Sequence, residues 1–143
     1  DAPVEMANLF HGEAGAFGLF TEHGVATANY HGLLGFARLM QTPRRVQISG
    51  QKQHGCFALA GLSADGAQAN VLLVNIGPAA KTMQLVARGL PWDKGRCEVR
   101  RLDSAPSNDE SLQRHSYVGG TFHVAIELPA PAVLLMTLFT ETK

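Results

Sequence analysis

The chain has 143 residues, 45% hydrophobic and 17% charged, with 12 basic residues balancing 12 acidic ones. That composition excludes disorder and suits one globular domain able to bury ~70% of its unfolded surface. With no basic run beyond the pairs Arg44–Arg45 and Arg100 with Arg101, nucleic acid and anionic membrane are excluded as main partners, and no apolar stretch reaches the ~20 residues that cross a bilayer, so a soluble chain is expected.

Residues 3–9 (PVEMANL) read as a short buried strand, followed by a loop over 11–16 with Gly12 and Gly15. An apolar run at 17–20 (FGLF) then enters a polar turn, TEHG, ending at Gly24. A helix is expected over 27–41, with the Thr27 hydroxyl accepting from the orphan amides of its first turn. Tyr30, Leu33, Leu34, Ala37 and Met40 recur at helical spacing, and Phe36 and Leu39 widen that stripe. Little more than His31 and Arg38 is left for solvent, so the helix expects neighbours on two sides. Gly32 and Gly35 each cost about 1 kcal/mol relative to alanine inside a helix, which close packing of another backbone would justify. Pro43 ends the helix.

Beyond Arg44 the helical period vanishes. Strands are expected at 45–49, 56–62, 70–75, 82–86, 96–102, 121–128 and 133–139, with an eighth, weaker one at 112–117. Alternation is plainest at 121–128, where Phe122, Val124, Ile126 and Leu128 share one face and His123 and Glu127 the other. Segments 71–74 and 133–136 are apolar on both faces and should be central. Turn residues lie between the runs, including Asp65–Gly66 and Gly119–Gly120. Regular short strands so punctuated indicate an antiparallel sandwich. Cys56 and Cys97 lie 41 positions apart without CxxC spacing, which leaves open a bridge or two buried thiols. The six histidines are scattered without paired metal-site spacing, so no metal and no cofactor is expected.

No GxSxG elbow or phosphate-binding glycine motif accompanies the serines and glycines. Trp92, in LPWDKG, offers an indole face that could stack on a pyranose, or could seal one end of the sandwich. Asp103 with Ser107 and Asn108 reads as a turn whose side chains satisfy backbone amides.

The order of Phe17–Gly18–Leu19–Phe20, His23–Gly24, the ANYHG stretch from Ala28 to Gly32, Arg101–Leu102–Asp103 and Ser107–Asn108 resembles the C-terminal part of clan A glycoside hydrolases. Family 39, with its β-xylosidases and α-L-iduronidases, is the nearest in pattern. The strand ANVLLVNIG and the closing PAPAVLLMTL are similar to its accessory sandwich. The resemblance implies residues 1–43 as the last βα unit of a (β/α)8 barrel and 44–143 as an accessory β-sandwich. The fold class is then mainly β, an antiparallel sandwich preceded by one strand and one helix. It further implies a structural role against the catalytic barrel of a retaining hydrolase, without a catalytic residue in this chain. Both catalytic glutamates would lie upstream, and neither Glu5 nor Glu13 matches their positions. Phe10, His11, Glu13 and Trp92 are the candidate sugar contacts, and the eighth strand lacks the family's usual aromatic apart from Phe10. The expected partners are the rest of the barrel or a second copy, and an oligo- or polysaccharide. The alternative is an autonomous carbohydrate-binding sandwich, which needs an exposed aromatic platform drawn from Trp92, Tyr117 or loop phenylalanines.

Overall fold

The computed structural model describes residues 12–15, 18–50, 54–102 and 113–141. The strand expected at 3–9 and the turn at Asp103, Ser107 and Asn108 lie outside those residues. Among the described residues one helix, α1 (Ala28–Leu39), precedes eight strands: β1 (Arg44–Arg45), β2 (Cys56–Leu62), β3 (Gln68–Asn75), β4 (Lys81–Arg88), β5 (Lys94–Arg101), β6 (Gln113–Val118), β7 (Thr121–Leu128) and β8 (Ala132–Thr140). The order β1-β2-β3-β8-β5-β6 forms a six-stranded sheet, with β4 and β7 as a second, two-stranded one. Every pairing between these strands is antiparallel.

The two sheets bury one core between them. Phe122, Val124, Ile126 and Leu128 of β7 meet Leu73 of β3, Cys97 and Val99 of β5, and Leu134, Met136 and Leu138 of β8. β3 and β8 are central, paired from Gln68 with Phe139 to Asn75 with Ala132. Both are apolar on two faces because the second face also has a cover, the helix. There Gly35 packs on Leu72 and Leu102, and Leu72 is almost fully buried. Covering such a leucine contributes roughly 1.5–3 kcal/mol.

Several boundaries and caps differ from the sequence reading. The strand expected at 45–49 is only Arg44–Arg45, and the chain then leaves the sheet after one more bond, Val46 N–H to the Ala60 carbonyl (3.0 Å). Thr27 does not cap with its side chain; its hydroxyl donates to the carbonyls of Gly18 (2.7 Å) and Leu19 (3.1 Å). That hydroxyl is drawn off because Thr27 also lies against the 18–20 segment through its own amide, bonded to Leu19 O. The helix stops at Leu39, short of Gln41. The residue before a proline avoids helical backbone, and the Thr42 hydroxyl closes the turn on the Leu39 carbonyl at 2.9 Å. Gly32 has open space where a Cβ would stand, so no close backbone justifies it.

The expectation of neighbours on two sides of α1 is met on one side only. Leu33, Phe36 (52% exposed) and Met40 (78%) face away from the sandwich, while Tyr30 packs on Phe20 with ring centroids 5.2 Å apart. The sandwich itself therefore does not cover that part of the stripe.

Two buried asparagines carry the polar connections. Asn70 donates through Nδ2 to the Arg38 carbonyl at 2.9 Å, tying the C-terminal end of α1 to β3. Asn75, fully buried at the end of β3, donates to the carbonyls of Ala79 (3.0 Å), Leu128 (3.2 Å) and Pro129 (2.8 Å). Its Oδ1 accepts from the Gly77 amide at 2.9 Å and weakly from the Cys56 thiol at 3.7 Å.

Candidate functional site

Of the four candidate sugar contacts, Phe10 and His11 lie outside the described residues. Glu13 is exposed on the loop before α1, and its carbonyl abuts Gly18 so closely that a side chain there would collide. Trp92 stands in the β4–β5 loop, in another part of the molecule, and is only 9% exposed. Its indole N–H donates to the Tyr117 hydroxyl, and Tyr117 in turn stacks obliquely on Phe122 at 5.1 Å. Trp92 therefore closes the end of the sandwich where β4–β5 meets the β6–β7 turn. A stacking platform needs an open ring face, and neither Trp92 nor Tyr117 presents one.

That end is held by local backbone chemistry legible in the sequence. Gly119 and Gly120 both take positive φ (+100° and +66°), as a two-residue hairpin turn requires, and the Gly119 amide reaches the Asp93 carbonyl. Nearby, Asp65 Oδ1 accepts from the Ser63 hydroxyl (2.5 Å) and the Ala67 amide (3.0 Å), and these bonds hold its carboxyl below the ordinary range. Both features are turn structure, not reactive centres.

A shallow cavity of about 180 Å³ lies along the β5–β6 edge, lined by Arg96, Cys97, Glu98, His115, Ser116 and Glu141. It is smaller than the ~300 Å³ at which small-molecule sites begin. Two of its lining side chains are engaged by residues outside it: the Arg96 guanidinium lies 5.2 Å over the Phe139 ring, and Glu98 pairs with Arg100 at 3.2 Å. Cys97 is fully buried and, like Cys56, a free thiol. Burial first, and the Glu98 charge second, push its thiol up to about 12, so it stays protonated and is no nucleophile at neutral pH. Among the described residues, no three of His, Cys, Asp and Glu come together as a metal set.

The Cys97 thiol has a consequence for stability. Its proton is held by the native state up to pH about 12 but released by the unfolded chain near 9.0, so the unfolded state binds fewer protons between those limits. The contribution is complete below pH 9 and is lost as pH rises towards 12. Denaturant melts should therefore show wild-type stability falling more steeply above pH 9 than that of Cys97→Ala. The difference should approach about 1.4 kcal/mol per pH unit. Parallel profiles for the two proteins would contradict the assignment.

No family model matches the sequence, and no curated protein matches it. Solved structures do match the fold. The chain is similar to a glucosidase from Croceicoccus marinus, with 21% identity and a TM-score of 0.72 over 88% of this chain and 34% of that one. It is likewise similar to the GH39 enzyme from Xanthomonas axonopodis pv. citri, at 14% identity and a TM-score of 0.66 over 89% and 33%. A GH30 endoxylanase from Clostridium papyrosolvens follows at 17% identity and a TM-score of 0.57, over 90% and 32%. The chain thus spans about a third of the length of each of these three glycoside hydrolases, and what it shares with them is the fold.

Proposed function

We propose that this chain is the C-terminal portion of a retaining glycoside hydrolase similar to family 39, and that its role there is structural. In this reading residues 1–43 complete a barrel and 44–143 form the sandwich packed beside it. The observation that carries the reading is the fold match over nearly the whole chain to a third of several glycoside hydrolases. The outward face of α1 supports it, since Leu33, Phe36 and Met40 form an apolar stripe of the kind that marks an interaction surface.

The hydrolysis itself would belong to the rest of the parent polypeptide. Retaining cleavage needs two carboxyl groups about 5–5.5 Å apart, one as acid/base and one as nucleophile. Glu13 is exposed on its loop, and this reading gives it neither role. The purified 143-residue chain should leave aryl glycosides intact, while the polypeptide encoded by the complete reading frame cleaves them with retained anomeric configuration, followed by proton NMR. Turnover by the short chain, abolished in Glu13→Gln, would overturn the proposal.

A further inference from the structure

Asp65–Gly66 is the only Asp–Gly pair in the sequence, and no Asn–Gly pair occurs. In a flexible peptide such a pair rearranges without a catalyst, because glycine puts no side chain beside its own amide nitrogen. That nitrogen attacks the aspartate Cγ while the carboxyl is in its acid form. The N–Cγ bond forms, the amide proton and the carboxyl OH depart as water, and a succinimide remains. Water then adds back. Addition at Cγ restores aspartate; addition at the main-chain carbonyl gives isoaspartate, with one more methylene in the backbone.

Here the reacting groups are all held. The pair lies in the turn between β2 and β3, where Asp65 is exposed to solvent. Asp65 Oδ1 accepts from the Ser63 hydroxyl (2.5 Å) and from the Ala67 amide (3.0 Å). Those two bonds, the Ser63 one foremost, favour the carboxylate over the acid form that could release OH. The attacking nitrogen is engaged as well, since the Gly66 amide donates to the Ser63 carbonyl at 3.0 Å. Closing the succinimide ring turns the carboxyl onto that nitrogen and removes its proton, so all three bonds are lost together. Ser63 is common to most of this. Its amide donates to the Gln68 carbonyl (2.8 Å), and its hydroxyl oxygen accepts from the Gln68 amide (2.9 Å), which ties the Asp65 carboxylate to the first rung of the hairpin.

We propose that Asp65–Gly66 is a site of isoaspartate formation that the Ser63 hydroxyl latches shut in the folded hairpin and that opening of the hairpin releases. Damage there would reach further than a surface turn. An added methylene displaces Ser63 from Gln68 at the start of the central strand β3, and Gln68 Nε2 donates to Asn70 Oδ1 (3.1 Å), the side chain that holds α1. The inference stands independently of the origin proposed for the chain.

Each net hydrogen bond is worth about a fivefold factor, so three lost together should slow the reaction about 100-fold. Peptide mapping by liquid chromatography and mass spectrometry separates isoaspartate from aspartate. It is applied at neutral pH to the 143-residue chain and to the free peptide of residues 63–68. The native chain should accumulate isoaspartate at position 65 about 100-fold more slowly than the peptide. Ser63→Ala, with its circular dichroism unchanged, should react at least about fivefold faster than wild type, and Ser63→Thr, which keeps the hydroxyl, should stay slow. In denaturant wild type and Ser63→Ala should both reach the rate of the peptide. A native wild-type rate equal to that of the peptide would overturn the proposal. So would a Ser63→Ala rate as slow as wild type, which removes Ser63 as the latch. A wild-type rate that stays slow in denaturant would trace the protection to sequence alone and overturn the role of the hairpin.

Discussion

Replacing Gly61 with alanine should detach α1 from the sandwich. A Cβ at Gly61 would stand 2.0 Å from the Thr42 carbonyl oxygen and 2.8 Å from the Thr42 hydroxyl. Thr42 is buried and its hydroxyl closes the end of the helix on Leu39, so the obstacle is backbone that has no side-chain torsion to yield. Overpacking at ordinary core sites costs roughly 1–3 kcal/mol, and a clash against main chain belongs at or above the upper end. The strain is relieved most cheaply by letting the segment after the helix move, because α1 contacts the sandwich chiefly through β3 and β8. Exchange of the amides from Tyr30 to Leu39 should then accelerate by roughly 100-fold, while those at the centres of β3 and β8 change little. Gly32→Ala is the internal control. It meets open space and removes a helix-interior glycine, so it should slow exchange in the same amides, by up to about 1 kcal/mol. Equal behaviour of the two variants would refute the contact at Gly61.

Asn75→Ala should be the more damaging change to the sandwich as a whole. The side chain joins the end of β3 to the β3–β4 loop through Ala79 and to the β7–β8 connection through Leu128 and Pro129. Truncation would leave the Leu128 carbonyl without this partner where solvent is excluded, and the Gly77 amide without it in a half-buried turn. Each net hydrogen bond contributes about 1 kcal/mol, and an orphaned buried group costs about 1–3 kcal/mol more. A loss of about 3 kcal/mol follows, seen as a fall in Tm of roughly 10 °C for a domain of this size. Asn75→Asp keeps the shape but places an acceptor-only carboxylate against three carbonyls, so it should be at least as harmful. Cys56→Ala, which removes the long thiol contact and the packing of one half-buried sulfur, should cost far less. A melting point for Asn75→Ala within a few degrees of wild type would show that the three carbonyls find other donors.

By itself the sequence determined most of the strands, because strand formation here follows local alternation and turn chemistry. Cys56–Leu62 and Thr121–Leu128 match the expected bounds, and the central placement of β3 and β8 follows from their apolar runs. Gly119 and Gly120 announced their hairpin because only glycine takes positive φ twice in succession without strain. The antiparallel sandwich was legible for the same reason: period-two patterns and short turns leave few other architectures. What tertiary structure decided were the matters that depend on distant partners. The indole of Trp92 had two readings until Tyr117, 25 residues on, was seen to accept its N–H in the core. Residues 45–49 look like a strand, yet pairing ends almost at once where the chain leaves β2. The helix stripe is amphipathic by spacing, but which part meets β3 and which faces outward depends on Gly35 finding Leu72. The pairing of β4 with β7, from Arg88 with Thr121 to Lys81 with Leu128, is likewise a property of long-range register, to which local periodicity is blind.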